Sequence, residues 1–191
     1  MTFEQLELDD DLCRALADMG LSRPTTIQSM VVPVAMEGKD ILASAPTGTG
    51  KTLGFLLPAC QFLLDFPRKQ PGATRILVLT PTRELALQVY EQAVAVTRHT
   101  DLICGVITGG INYGTDRETL SQNLDILVAT PGRVFDLHHQ GFINLNKIEI
   151  LILDEADHML DLGFINDIRD MIKHLPEKRQ TLFFSATIDK K

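Results

Sequence analysis

The chain has 191 residues, 45% of them hydrophobic and 23% charged. That is the length of one domain, or one with a small appendage, and the mix excludes a disordered chain, a collagen and a disulfide scaffold. Eighteen Lys and Arg against twenty-five Asp and Glu give a net charge of −7, which taken alone argues against a nucleic-acid partner.

The charge is uneven. Residues 1–11 carry five acids and no cation, residues 154–170 carry six acids against Arg169, and the remainder holds 14 acids and 17 cations. A neutral-to-basic face therefore stays open. No apolar run reaches the ~18 residues that span a membrane. The start, Met1-Thr2-Phe3-Glu4, lacks the basic and apolar regions of a secretion signal. Cys13, Cys60 and Cys104 are odd in number and far apart. They form neither a CxxC pair nor a disulfide framework, and are expected as reduced core residues of a cytosolic protein.

Along the chain, a first helix is expected over 10–19, with acids at its start and Gly20 after its end. A strand over 41–45 leads to a helix over 51–64. The stretch 65–74, with Pro67, Pro71 and Gly72, reads as a surface loop. Its Arg68-Lys69, like the later Lys178-Arg179, reads as solvated charge. A strand over 75–80, a helix over 83–98, and strands over 102–108 and 125–129 follow. Pro131 stands at the first position of a helix over 131–139, behind the capping type Thr130 and before Gly141. Strands over 149–153 and 181–184 complete the pattern. Several strands are near-continuous Ile, Leu and Val, as in strands covered on both faces. Repeated strand–helix alternation predicts a parallel sheet in three layers, with right-handed crossovers and sites at the carboxyl ends of the strands. The histidines at 99, 138, 139, 158 and 174 lack metal-type spacing.

After the 41–45 strand comes Ala45-Pro46-Thr47-Gly48-Thr49-Gly50-Lys51-Thr52. The general phosphate loop is GxxxxGK[ST], and only its first glycine is replaced, by Ala45. Gly48 and Gly50 allow the tight turn that aims N–H groups at phosphate oxygens. The next helix offers its positive end. Lys51 reaches the β- and γ-phosphates in such a loop, and Thr52 ligates Mg²⁺. A Gly-rich turn with a solvated lysine would share the glycines but has no need of this order. The 149–153 strand ends in Asp154-Glu155-Ala156-Asp157. An acid just past a buried strand is a rigid hard-oxygen ligand for Mg²⁺, which fits Asp154. Glu155 is placed to orient and deprotonate an attacking water. An acidic helix N-terminus is the plainer reading, and Asp157 fits it.

Residues 154–157 spell DEAD, and the chain resembles the N-terminal RecA-like domain of the DEAD-box ATP-dependent RNA helicases, from Phe3 to Thr187. Gly20-Leu21-Ser22-Arg23-Pro24-Thr25-Thr26-Ile27-Gln28 is similar to the Q motif, and Phe3, seventeen residues before Gly20, stands where the family has its isolated aromatic. Residues 45–52 match motif I, where Ala for the first Gly is the family norm. Pro81-Thr82-Arg83-Glu84-Leu85-Ala86 matches motif Ia, Gly109-Gly110 the GG element, Thr130-Pro131-Gly132-Arg133 motif Ib, and Ser185-Ala186-Thr187 motif III. Leu21, where most members have an aromatic, and Thr26, often Pro, are departures. The wording around 64–69 resembles the bacterial SrmB-type branch, associated with large ribosomal subunit assembly.

The resemblance implies one RecA-like P-loop NTPase domain over 1–191, with the Q motif within 3–28 and the second RecA-like domain absent. It implies ATP and Mg²⁺ as cofactors, RNA as a sequence-independent partner, and a monomeric, cytoplasmic, non-membrane protein. Gln28 would read adenine, a base with N6 donor and N7 acceptor that suits a carboxamide, and Phe3 would stack on it. Thr47, Gly48, Thr49, Gly50, Lys51 and Thr52 would hold the phosphates. Asp157, Ser185 and Thr187 would couple the ATP state to the RNA state. Thr82, Arg83, Gly110, Thr130, Gly132 and Arg133 would meet the RNA backbone. The implied activity is ATP-driven duplex unwinding or RNP remodelling. The domain alone is expected to be nearly inactive, because the family's arginine finger lies in the absent half. The competing readings are another P-loop enzyme, acting on DNA or a small molecule, and a non-catalytic nucleotide-binding scaffold.

Overall fold

The computed structural model describes residues 1–109 and 113–186. Six strands form one parallel sheet among them: β1 (Ile41–Ser44), β2 (Ile76–Leu79), β3 (Cys104–Ile107), β4 (Ile126–Ala129), β5 (Ile150–Leu153) and β6 (Gln180–Ser185), in the spatial order β1-β6-β5-β2-β4-β3. The helices are α1 (Asp10–Asp18), α2 (Thr26–Met36), α3 (Lys51–Asp65), α4 (Arg83–Val96), α5 (Tyr113–Leu120), α6 (Pro131–His139), α7 (Ala156–Asp161) and α8 (Ile165–Ile172). The expected three-layer α/β architecture is present.

The central strands β2, β4 and β5 are apolar and buried at every position. Alternate residues of a strand face opposite ways, so each strand feeds two cores. Ile76, Val78, Ile126, Val128, Ile150 and Ile152 join residues of α1 to α4 on one face. Leu77, Leu79, Leu127, Ala129, Leu151 and Leu153 join residues of α6 to α8 on the other. The sheet order explains the division. The chain runs outward from β1 to β2 to β3 with its helices on one face, then returns through β4 and β5 to β6. A right-handed crossover made in the reverse direction puts its helix on the opposite face.

Strand and helix ends agree with expectation to within two residues. Helices α2, α5, α7 and α8 have no counterpart among the expected helices; α2 contains Pro33, and the other three are short. The loop around Arg68 is a correction. Its guanidinium is not solvated: it donates to Gly72 O at 2.6 Å, to Leu124 O at 2.8 Å and to Asp125 Oδ1 at 2.8 Å. Asp125 Oδ2 in turn accepts from Ile103 N at 2.8 Å, just before β3. Similar bonds lie at the starts of other strands. Arg75 pairs with Glu149, Asp40 Oδ1 accepts from Thr181 N at 2.7 Å, and Gln180 Nε2 donates to Ala35 O and Lys39 O. No helix among the described residues is long and apolar enough to cross a membrane.

Candidate nucleotide and nucleic-acid sites

All strands point the same way, so their carboxyl ends share one edge of the sheet. The loop after β1 returns to α3 through Gly48 and Gly50, with φ of 88° and 84°. Left-handed backbone of that kind suits glycine, because an L side chain there crowds its own carbonyl. Ala45 N donates to Ser185 O at 2.9 Å, and Thr49 Oγ1 to Pro46 O at 2.7 Å. Gln28 braces the loop. Its Nε2 donates to Gly50 O at 2.9 Å, while its Oε1 accepts from Thr25 N at 2.9 Å in a capping box that starts α2. A Cβ on Gly50 would lie 2.6 Å from that Nε2. An amide has two hydrogens and two acceptor lone pairs on its oxygen, so one of each stays available on Gln28. A hollow of ≈ 430 Å³ opens at this loop, lined by Thr25, Thr26, Ile27, Met30, Pro46 and Thr49 among others, while Gln28 itself is 3% exposed and lies outside the lining. Phe3 is not in this lining. Its ring is 3% exposed and packs in the core with α1 to α4, so the structure does not present it as an open stacking face.

Asp154 follows β5, tied to β2 by Asp154 N donating to Leu79 O at 2.9 Å. Glu155 caps α7 with φ 53° and ψ 51°, a left-handed geometry that costs a non-glycine residue ~1–2 kcal/mol. Lys51 Nζ lies 3.2 Å from Asp154 Oδ1 and 3.5 Å from Glu155 Oε1. Thr47 Oγ1 donates to the same Oε1 at 3.4 Å. Lys51 is not solvated: it is 6% exposed, and Asp154 is 2% exposed. The start of α3 tucks under the glycine loop and carries Lys51 into the sheet edge. Burial raises the Asp154 carboxyl above its usual range, and Lys51 opposes that rise.

Although these charges sit within ion-pair distance, Lys51 Nζ, Asp154 Oδ1 and Glu155 Oε2 are buried with no hydrogen-bond partner. Such atoms are costly to bury unless another group satisfies them. A phosphate chain on Lys51 and a hard cation on Asp154 would do so, and Thr52, half-buried in the first turn of α3, adds a hydroxyl. The donor set therefore fits Mg²⁺ and a polyphosphate. Asp157, in the first turn of α7, and Ser185, buried at the end of β6, are both engaged within the molecule. Thr187 lies outside the described residues.

The sheet order puts the ends of β1, β6 and β5 together and those of β2, β4 and β3 beside them. The second group carries the residues expected at RNA. Thr82 caps α4, its Oγ1 accepting from Leu85 N at 3.3 Å, and Arg83 is exposed next to it. Thr130 caps α6 by backbone position, and its side chain makes no cap bond. Gly132 follows in the first turn. Gly110 lies outside the described residues. Arg133 departs from the expectation of a direct contact: it is buried against Asp116 of α5. Asp116 was missed, since an acid on a short polar helix carries no sign of a partner seventeen residues on.

Comparisons with known proteins agree with this geometry. The DEAD/DEAH box helicase family model matches residues 25–191. The chain is 52% identical over 188 residues to the ATP-dependent RNA helicase SrmB of Escherichia coli, covering 98% of this chain and 42% of that protein. It is 50% identical to SrmB of Haemophilus influenzae over 98% of this chain and 43% of that protein. RhlB of a Shewanella strain is 42% identical, with 99% and 44% covered. The chain thus spans less than half the length of these relatives. A crystal structure of a DEAD box protein from Methanococcus jannaschii superposes with a TM-score of 0.91 at 34% identity, over all of this chain and 51% of that one. The fold is RecA-like, the relatives include the SrmB helicases, and the chain belongs to the DEAD/DEAH box helicase family.

Proposed function

We propose that the chain is the ATP-binding half of an ATP-dependent RNA helicase, a single RecA-like domain that works with a second one to unwind or remodel RNA locally. The observation that carries this reading is the buried cluster of Lys51, Asp154 and Glu155 under the glycine loop, with its polar atoms unsatisfied. Lys51 would neutralise the outer phosphates, and backbone N–H groups of 47–52 would hold their oxygens. Mg²⁺, held by Asp154 and Thr52, would supply charge neutralisation of the phosphates when bound. Glu155, fixed by its left-handed backbone, would orient the attacking water. Gln28 would select adenine with its remaining donor and acceptor, and Phe3 would contribute through the core rather than as an open ring. Asp157, Ser185 and Thr187 would carry the nucleotide state toward the RNA side.

On that side, the N-termini of α4 and α6 can hold phosphates with few cations, which supports an RNA partner despite the net charge of −7. Thr82, Arg83, Gly110, Thr130 and Gly132 are the contact candidates, and binding would be largely blind to sequence. A role in ribosome assembly rests on the kinship with SrmB alone. The domain by itself is proposed to be a monomeric, cytoplasmic, very poor ATPase, since an arginine finger contributes ~10³–10⁵ in rate.

The test is steady-state phosphate release by this chain and by a protein joining it to a second RecA-like domain, with and without single-stranded RNA. RNA-stimulated turnover is expected only in the joined protein. Equal turnover with and without RNA there would overturn the RNA reading. Equal affinity of this chain for ADP and GDP would overturn the adenine role of Gln28.

A further inference from the structure

The ends of β3 and β4 hold a buried ion pair that the nucleotide site does not use. Arg133 Nε lies 3.1 Å from Asp116 Oδ2, with side-chain exposures of 8% and 3%. The same Nε donates at 3.4 Å to Thr108 O, just past β3. Arg133 stands in the first turn of α6, and Asp116 in the first turn of α5, which begins directly after residues 110–112 in the sequence. The pair therefore ties together two helices that leave neighbouring strand ends. Burial raises the Asp116 carboxyl above its usual range, and Arg133 opposes the rise. A pair closed off in this way gains little net stability, since both ions lose their water. Its direct effect is on geometry. Meanwhile Thr130, at the N-cap of α6, makes no side-chain cap bond.

We infer that Asp116 is a positioning residue for RNA: acting through Arg133, it sets the angle at which the N-terminus of α6 meets the sugar–phosphate backbone, and Arg133 itself does not touch a phosphate. The inference rests on the RNA reading of α6 proposed above. It makes a prediction of opposite sign to simple electrostatics. Removing an acid beside an RNA groove should tighten binding by lowering repulsion. Removing a positioning acid should weaken it.

The experiment titrates a labelled single-stranded oligouridylate with this chain, follows fluorescence anisotropy at several salt concentrations, and measures ADP binding and thermal melting in parallel. Asp116→Asn should weaken RNA binding about tenfold, the scale of coupling inside one buried charge network, with ADP affinity unchanged. Asp116→Asn/Arg133→Gln, which leaves no uncompensated charge, should lose less than the sum of the two single variants. It also carries the test if Asp116→Asn alone fails to fold. Unchanged or tighter binding by Asp116→Asn would overturn the inference. So would an Arg133→Gln loss that persists in full in the double variant with a salt slope shallower by about one, the mark of a lost phosphate contact. Thr130→Val separates the two levels. If it weakens RNA binding while Asp116→Asn does not, only the positioning role fails. If both bind as the parent chain does, the RNA reading of α6 fails as well.

Discussion

At the amino end of the sheet, side chains close bonds across the starts of the strands. Arg68, Asp125, Arg75, Glu149, Asp40 and Gln180 all do so there. At the carboxyl end the loops after the strands hold buried charges with hydrogen-bonding capacity still open, in Lys51, Asp154 and Glu155. In the same loops Gly48, Gly50 and Glu155 have left-handed backbone. The same sheet thus separates two tasks. One end fixes the strands relative to one another. The other keeps strained and unsatisfied groups in place for a ligand, which the first end makes tolerable.

Lys51→Ala tests this division most severely. It should weaken Mg-dependent ADP binding by ~10²-fold or more, the scale seen when one preorganised charge partner is removed. Calorimetric titration reads the affinity, and ADP binding at near-parent strength would break the comparison at its functional end. Arg68→Ala should do the reverse. Losing the partner of Asp125 and of two carbonyls is expected to cost about 2 kcal/mol, or about 4–8 °C in melting temperature. ADP affinity should stay within error of the parent. An Arg68→Ala variant that melts normally would mean that the amino end does not carry the stability assigned to it.

Gly50→Ala sharpens the picture by touching both properties at once. Its positive φ costs an alanine ~1 kcal/mol, and the new Cβ meets Gln28 Nε2 at 2.6 Å. Both melting temperature and ADP affinity should fall, the latter by about tenfold. A variant that melts lower yet binds ADP normally would detach Gln28 from the loop's function. The smallest effect concerns pH. Because burial raises the Asp154 carboxyl, Mg²⁺-supported nucleotide binding should decline, as pH falls, sooner than an exposed aspartate with its usual value of 3.8 would dictate. In the empty domain the sign is opposite. A raised carboxyl pKa contributes stability at low pH that is lost as pH rises through it. Binding titrations and melts across the acid range check the two slopes, and parallel slopes would show that Asp154 titrates like a surface group.

Much of this was legible in the sequence, for specific reasons. The Ile-Leu-Val-Leu and Ile-Leu-Ile-Leu runs of β2 and β5, short and set between helical patterns, read as strands buried on both faces. The glycine loop and Asp154-Glu155 are readable because phosphate and Mg²⁺ chemistry restricts residue type and order. Contacts between distant side chains were not readable. The burial of Lys51 depends on α3 lying under the loop, and the Arg68–Asp125 tie spans 57 residues. The Arg133–Asp116 pair was unreadable because Asp116 stands on a short polar helix whose sequence names no partner. Phe3 carries the same ambiguity, since an isolated aromatic serves a core or a base equally well. Helix α2 hid behind Pro33, although its capping box at Thr25 and Gln28 was visible.

The register between β5 and β2 has a mechanical consequence. Leu153 stands opposite Leu79, and the next residue, Asp154, bonds back to Leu79 O. A slip of one residue would turn every Leu and Ile of these strands toward the wrong core, so the ladder cannot creep. The two groups of loops are therefore mounted on a common rigid beam. Whatever a ligand moves at this edge has to be loop or helix, turning about strand ends that themselves stay fixed.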